Sequence, residues 1–115
     1  MEYLRQLPVS GSCDLVDFDY NDIVHGFVND VLFLVVSGEK PCKDMEIKLV
    51  PFVLDRHADY WRIQVVGCHA GTTNAAPSPY FVSIPLDGII GKKGIELIGA
   101  GRSVKILKKD LSSIN

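Results

Sequence analysis

The stretch that decides the fold is Val31-Leu32-Phe33-Leu34-Val35-Val36, which is apolar at every position and rich in side chains branched at Cβ. It falls far short of the ~20 residues a membrane helix needs, and Cβ branching favours an extended backbone. Successive side chains of a strand point to opposite sides, so a strand apolar on both is expected to have both sides covered. The run reads as a central strand.

Outward from it the period of two persists. Val16, Phe18 and Tyr20 alternate with Asp17, Asp19 and Asn21; Met45, Ile47 and Leu49 alternate with Glu46 and Lys48. Pro51 then marks an edge or a bulge, because proline cannot donate to a ladder, and Phe52 resumes beyond it. Trp61, Ile63 and Val65 alternate with Arg62 and Gln64, and Tyr80, Val82, Ile84 and Leu86 lie opposite Phe81, Ser83 and Pro85. Ile95 and Leu97 are followed by Val104 and Ile106 across Gly99, Ala100 and Gly101, a hairpin signal. Turn residues sit at 37–41 (SGEKP), at Asp87 and Gly88, and at 91–94 (GKKG). The expectation is one all-β domain over residues 1–115, an antiparallel β-sandwich of about seven or eight strands, with a partly closed β-barrel as the alternative. At most one short helix is expected, over residues 22–28, where Ile23, Val24, Phe27 and Val28 would share a face after an Asn21 or Asp22 cap. Gly26 weakens it in favour of a loop or strand.

With 115 residues, 47% of them hydrophobic and 23% charged, the chain supports one core and is not a disordered polymer. The net charge of -2 marks it neither as a nucleic-acid binder nor as a membrane-surface protein. The charge is nevertheless polarised. Residues 1–30 carry Glu2, Asp14, Asp17, Asp19, Asp22 and Asp30 against Arg5, whereas residues 91–115 carry Lys92, Lys93, Arg102, Lys105, Lys108 and Lys109 against Glu96 and Asp110. Such ends can meet within one molecule or between molecules. Cys13, Cys42 and Cys68, odd in number and without paired spacing, exclude a complete disulfide framework and are expected to act as small apolar residues in a reducing, cytoplasmic setting. Residues 9–13 resemble a lipoprotein cleavage site but lack the hydrophobic region that export requires.

Several motifs fail on chemistry. Residues 17–22 (DFDYND) start like a calcium loop, yet Asp22 stands where that loop turns on glycine and Val28 where it needs a bidentate glutamate, so no metal is assigned. Gly99 and Gly101 resemble half of a dinucleotide fingerprint, but too little chain follows for the rest of that unit, and no cofactor is assigned. Cys68 and His69 are adjacent, hence on opposite sides of any strand. A thiol-histidine pair would need His57 or His69 to meet Cys42 or Cys68 through the fold.

Residues 69–79 (HAGTTNAAPSP) form the longest interval without apolar periodicity. A loop of this kind on a rigid sheet is a natural binding element. His69, Thr72, Thr73 and Asn74 offer donors and acceptors, and Tyr80 and Trp61 could supply ring faces, so these six are the candidate ligand-binding residues. The functional expectation is a non-enzymatic binding or protein-interaction module for a protein, peptide or small polar ligand. Nucleic acid and membrane are not expected partners. The alternatives are a structural homo-oligomer or accessory subunit, and a small Cys/His enzyme or metal-binding protein.

Overall fold

The computed structural model describes residues 13–20, 23–53, 55, 58–69 and 76–112. They form β1 (Cys13–Leu15), β2 (Val24–Val28), β3 (Val31–Lys40), β4 (Glu46–Phe52), β5 (Tyr60–Cys68), β6 (Ser78–Pro85), β7 (Gly94–Ile98), β8 (Ser103–Leu107) and one helix, α1 (Lys108–Ser112). Strands β1, β4, β5, β7 and β8 make the larger sheet; β2, β3 and β6, in that order, make the smaller one. The two sheets pack on each other as the expected sandwich, and among the described residues both keep open edges and no barrel closes.

β5 organises the larger sheet. β4 lines one flank, while β7 and β1 share the other end to end, β7 along residues 60–64 and β1 along 66–68. The β5–β7 pair is parallel, a departure from the antiparallel expectation. Its connection runs through β6 in the other sheet, which lets the chain return in the same direction. Among the described residues β4 pairs only with β5, so Pro51 sits on an edge strand, where a missing donor is tolerated.

The core takes the alternating sets read from the sequence: Val16 and Phe18, Leu34 and Val36, Ile63 and Val65, Tyr80, Ile95 and Leu97 are buried between the sheets. Tyr20 departs from its set and is exposed. The helix expected at residues 22–28 is replaced by strand β2. Asn29 and Asp30 hold φ of 51° and 67°, the two positive values of a tight hairpin turn that suits strand twist, and they pair Val28 with Val31. Once that turn forms, pairing along β3 outweighs a local helical preference that Gly26 already weakens. The helix present is α1, whose Leu111 is buried in the core. The expected turn at 37–41 is also shorter than anticipated, because β3 continues through Lys40, whose Nζ donates to the Met45 carbonyl at 2.7 Å.

Cys13 and Cys68 face each other across the β1–β5 register and are joined by a disulfide. This corrects the expectation of unpaired apolar cysteines and leaves Cys13 no thiol for a lipid. Cys42 alone remains a free thiol, partly buried against the core. Among the described residues no helix is long and apolar enough to cross a membrane.

Candidate interaction surface

The candidate residues that lie among the described ones, Trp61, His69 and Tyr80, do not form one exposed surface. Thr72, Thr73 and Asn74 lie outside the described residues, as does His57. Trp61 and His69 sit at opposite ends of β5, roughly 26 Å apart at about 3.3 Å per residue. Trp61 packs against the core. His69 Nδ1 is buried with no hydrogen-bond partner among the described residues. Tyr80 is buried, and its hydroxyl donates to the Asp17 carbonyl at 2.8 Å. Gly38, opposite it on β3, makes room for the ring: a Cβ there would stand 3.0 Å from Tyr80 Oη. Burial pushes the Tyr80 phenol up to about 12, with the negative charges of Asp19 and Asp17 adding to the effect.

Asp17, from the calcium-like motif, has a different task. Its Oδ1 accepts the Gly101 N–H at 2.6 Å, tying the segment after β1 to the β7–β8 turn. The neighbouring Gly99 is required by close approach, since a Cβ there would stand 2.9 Å from the Val16 carbonyl oxygen. One contact thus links the acidic N-terminal region to the C-terminal region, through an uncharged backbone amide. Among the described residues, no three His, Cys, Asp or Glu side chains converge as a metal site would require. With Cys13 and Cys68 bonded to each other, a thiol chemistry would fall to Cys42.

The outer faces of the two sheets differ in kind. On the larger sheet Arg62, Glu96 and Lys105 are cross-strand neighbours; Arg62 Nε lies 3.4 Å from Glu96 Oε1, and Lys105 Nζ lies 4.9 Å from the centre of the Tyr60 ring. Glu46 and Lys48 continue the charged pattern along β4. On the smaller sheet, Leu34, Val36 and Gly38 turn inward, so Val31, Phe33 and Val35 turn outward. Opposite them on β2 lie Val28, Gly26 and Val24, and on β6 Pro85 lies opposite Phe33, Ser83 opposite Val35 and Phe81 opposite the next outward residue, Ser37. Phe81 is 78% exposed and Val24 and Val28 each 57%. Only Glu39, at one end, brings a charge.

The expectation of a cover on both sides of the apolar β3 run is not met: among the described residues nothing packs over its outward side. The signal lay in residues 24–36, where Asn-Asp separates two apolar runs by the length of a tight hairpin turn. No known protein family, curated protein or solved structure matches the chain.

Proposed function

We propose that this chain is a non-enzymatic interaction module whose contact surface is the outer face of the β2–β3–β6 sheet, taking a protein or peptide partner rather than a small polar ligand. The observation that carries the reading is the apolar face itself, in which Phe33, Val35, Phe81, Val24 and Val28 adjoin with no charge among them. Contiguous apolar surface on a soluble domain marks an interaction site, since leaving it in water forgoes the gain of burial. Assembly through oppositely charged ends has less support, because it rests on the distribution of charge along the chain alone.

The reducing, cytoplasmic setting expected from the cysteine count has the Cys13–Cys68 bond against it. Structural disulfides persist in oxidising compartments, and that is the setting this reading favours.

An anilinonaphthalene sulfonate dye tests the surface. The folded protein is expected to bind it, and Val35→Lys combined with Phe81→Lys is expected to release it while leaving the far-ultraviolet circular dichroism unchanged. Dye that stays bound to the double variant, or a native protein that binds none, would remove the basis for the proposal.

A further inference from the structure

We propose that β2 is a self-pairing edge, through which two copies of this chain join their smaller sheets into one continuous sheet across a two-fold axis. The inference goes beyond the apolar-face reading: it concerns the edge of the same sheet and leaves that face open.

Open strand edges are normally guarded against pairing by charge, proline or shortness. The other edges in the described residues follow that rule. β4 carries Glu46, Lys48 and Pro51; β6 carries Pro79 and Pro85; β8 carries Lys105; β1 has Asp14 and three residues in all. β2 reads Val24-His25-Gly26-Phe27-Val28, with no acid, lysine, arginine or proline, and among the described residues pairs with β3 alone. Three of its five residues are large apolar side chains more than half exposed: Val24, Val28 and, at 52%, Phe27.

The backbone gives the edge a defined pattern. The Asn29–Asp30 turn is closed by the Val28–Val31 pair, and in a two-residue hairpin that closing pair exchanges hydrogen bonds. By alternation Val28, Gly26 and Val24 direct their N–H and C=O groups to β3, while Phe27 and His25 direct theirs to the open side.

A second β2, antiparallel and centred on Gly26, meets that pattern. His25 falls opposite the partner copy's Phe27 and exchanges N–H and C=O bonds with it, and symmetry repeats the exchange. Gly26 falls opposite its own copy in a pair without hydrogen bonds, where the two Cα atoms come closest and the absence of a side chain helps. Val24 falls opposite Val28 on the outer face, and the His25 ring falls beside Phe27 on the inner one.

The strand is nearly palindromic in chemical character, which is what an isologous interface demands: if one residue meets another, the second must equally accept the first. A strand meant for a different partner has no reason to match itself. The seam is about 17 Å long and belongs to the small end of specific interfaces, under about 1,200 Å². Association is therefore reversible and follows concentration, and because no acid, lysine or arginine lies in the seam it depends little on salt.

Sedimentation velocity on the whole chain over a concentration series, at low and high salt, tests this. The mass should rise from 12.7 kDa towards twice that value in both salts. Val24→Lys with Val28→Lys sets like charges opposite each other and should give a monomer. Val24→Lys with Val28→Glu sets opposite charges in the same places and should restore the dimer, now with salt sensitivity. Phe27→Pro removes an outward N–H that β3 does not use and should also give a monomer, with circular dichroism confirming the fold. Phe81→Lys, on the same face but away from the edge, should leave the dimer intact. A monomeric wild type, a dimer indifferent to the paired lysines, or a dimer lost with Phe81→Lys overturns the proposal. If the wild type is monomeric but binds the dye, self-pairing falls while the apolar contact surface stands.

Discussion

The two outer faces of this sandwich are built from the same kind of strand and meet water in opposite ways. On the larger sheet Arg62, Glu96 and Lys105 run across three neighbouring strands, and a disulfide ties β1 to the central β5. On the smaller sheet the matching positions are valine, phenylalanine, proline and serine, with a tight turn and no covalent tie among the described residues. The difference teaches that a sheet face can be stabilised from the core side alone. What the outer side chains add is control over what else the sheet touches.

The largest expected effect lies on the tied sheet. The Cys13–Cys68 bond closes a separation of 55 residues, and the loop-entropy argument gives a loss of about 4 kcal/mol on its removal. Reduction, or Cys13→Ser with Cys68→Ser, should lower the denaturant midpoint accordingly. Hydrogen exchange should show the loss of protection centred on β1 and the C-terminal end of β5, with the β2–β3 hairpin less affected. Thiol titration of the unfolded, unreduced protein should find Cys42 alone. Three reactive thiols would show that the two sheets are not held differently.

A middle-sized effect belongs to the clasp between the sheets. Tyr80 on the smaller sheet donates to the Asp17 carbonyl beside the larger one, and Tyr80→Phe should cost about 1 kcal/mol. The phenol titrates near 10.0 when unfolded and near 12 in the folded chain. Between those values the unfolded chain gives up the proton first. The contribution is complete below pH 10 and is lost as pH rises through about 12. Alkaline denaturation should therefore be less steep in Tyr80→Phe, as denaturant midpoints through that range would show; an unchanged slope would place the phenol in water.

The smallest effect separates the two faces. Arg62→Ala breaks an ion pair that is partly exposed, so it should change stability by at most about 1 kcal/mol. It should leave both dye binding and sedimentation as in the wild type. Val24→Lys should cost as little in stability, since that side chain is mostly in water, yet shift the association. If the two substitutions behaved alike in sedimentation, the distinction between the faces would have no functional meaning.

Much of the fold was legible in the sequence because alternation is a local property: Ile63 and Val65 turn to the core and Arg62 to water for reasons contained in their own strand. Gly99 and Gly101 were legible as a turn for the same reason. The candidate site was less so. Tyr80 looked available for a ligand and is engaged by Asp17; Asp17 looked like part of a cation loop and holds the Gly101 amide. Each role depends on a partner more than 60 residues away.

Residue order alone determined that this protein extends into short strands and which side chains each one turns to the same side, since both follow from steric preference and a repeat of two. Tertiary structure decided which strands became neighbours: the parallel β5–β7 pair, the meeting of Cys13 with Cys68, and a face around Phe33 and Phe81 without a cover among the described residues. A strand's own chemistry specifies a side to be covered, but whether anything covers it depends on where distant segments lie, and no local pattern contains that information.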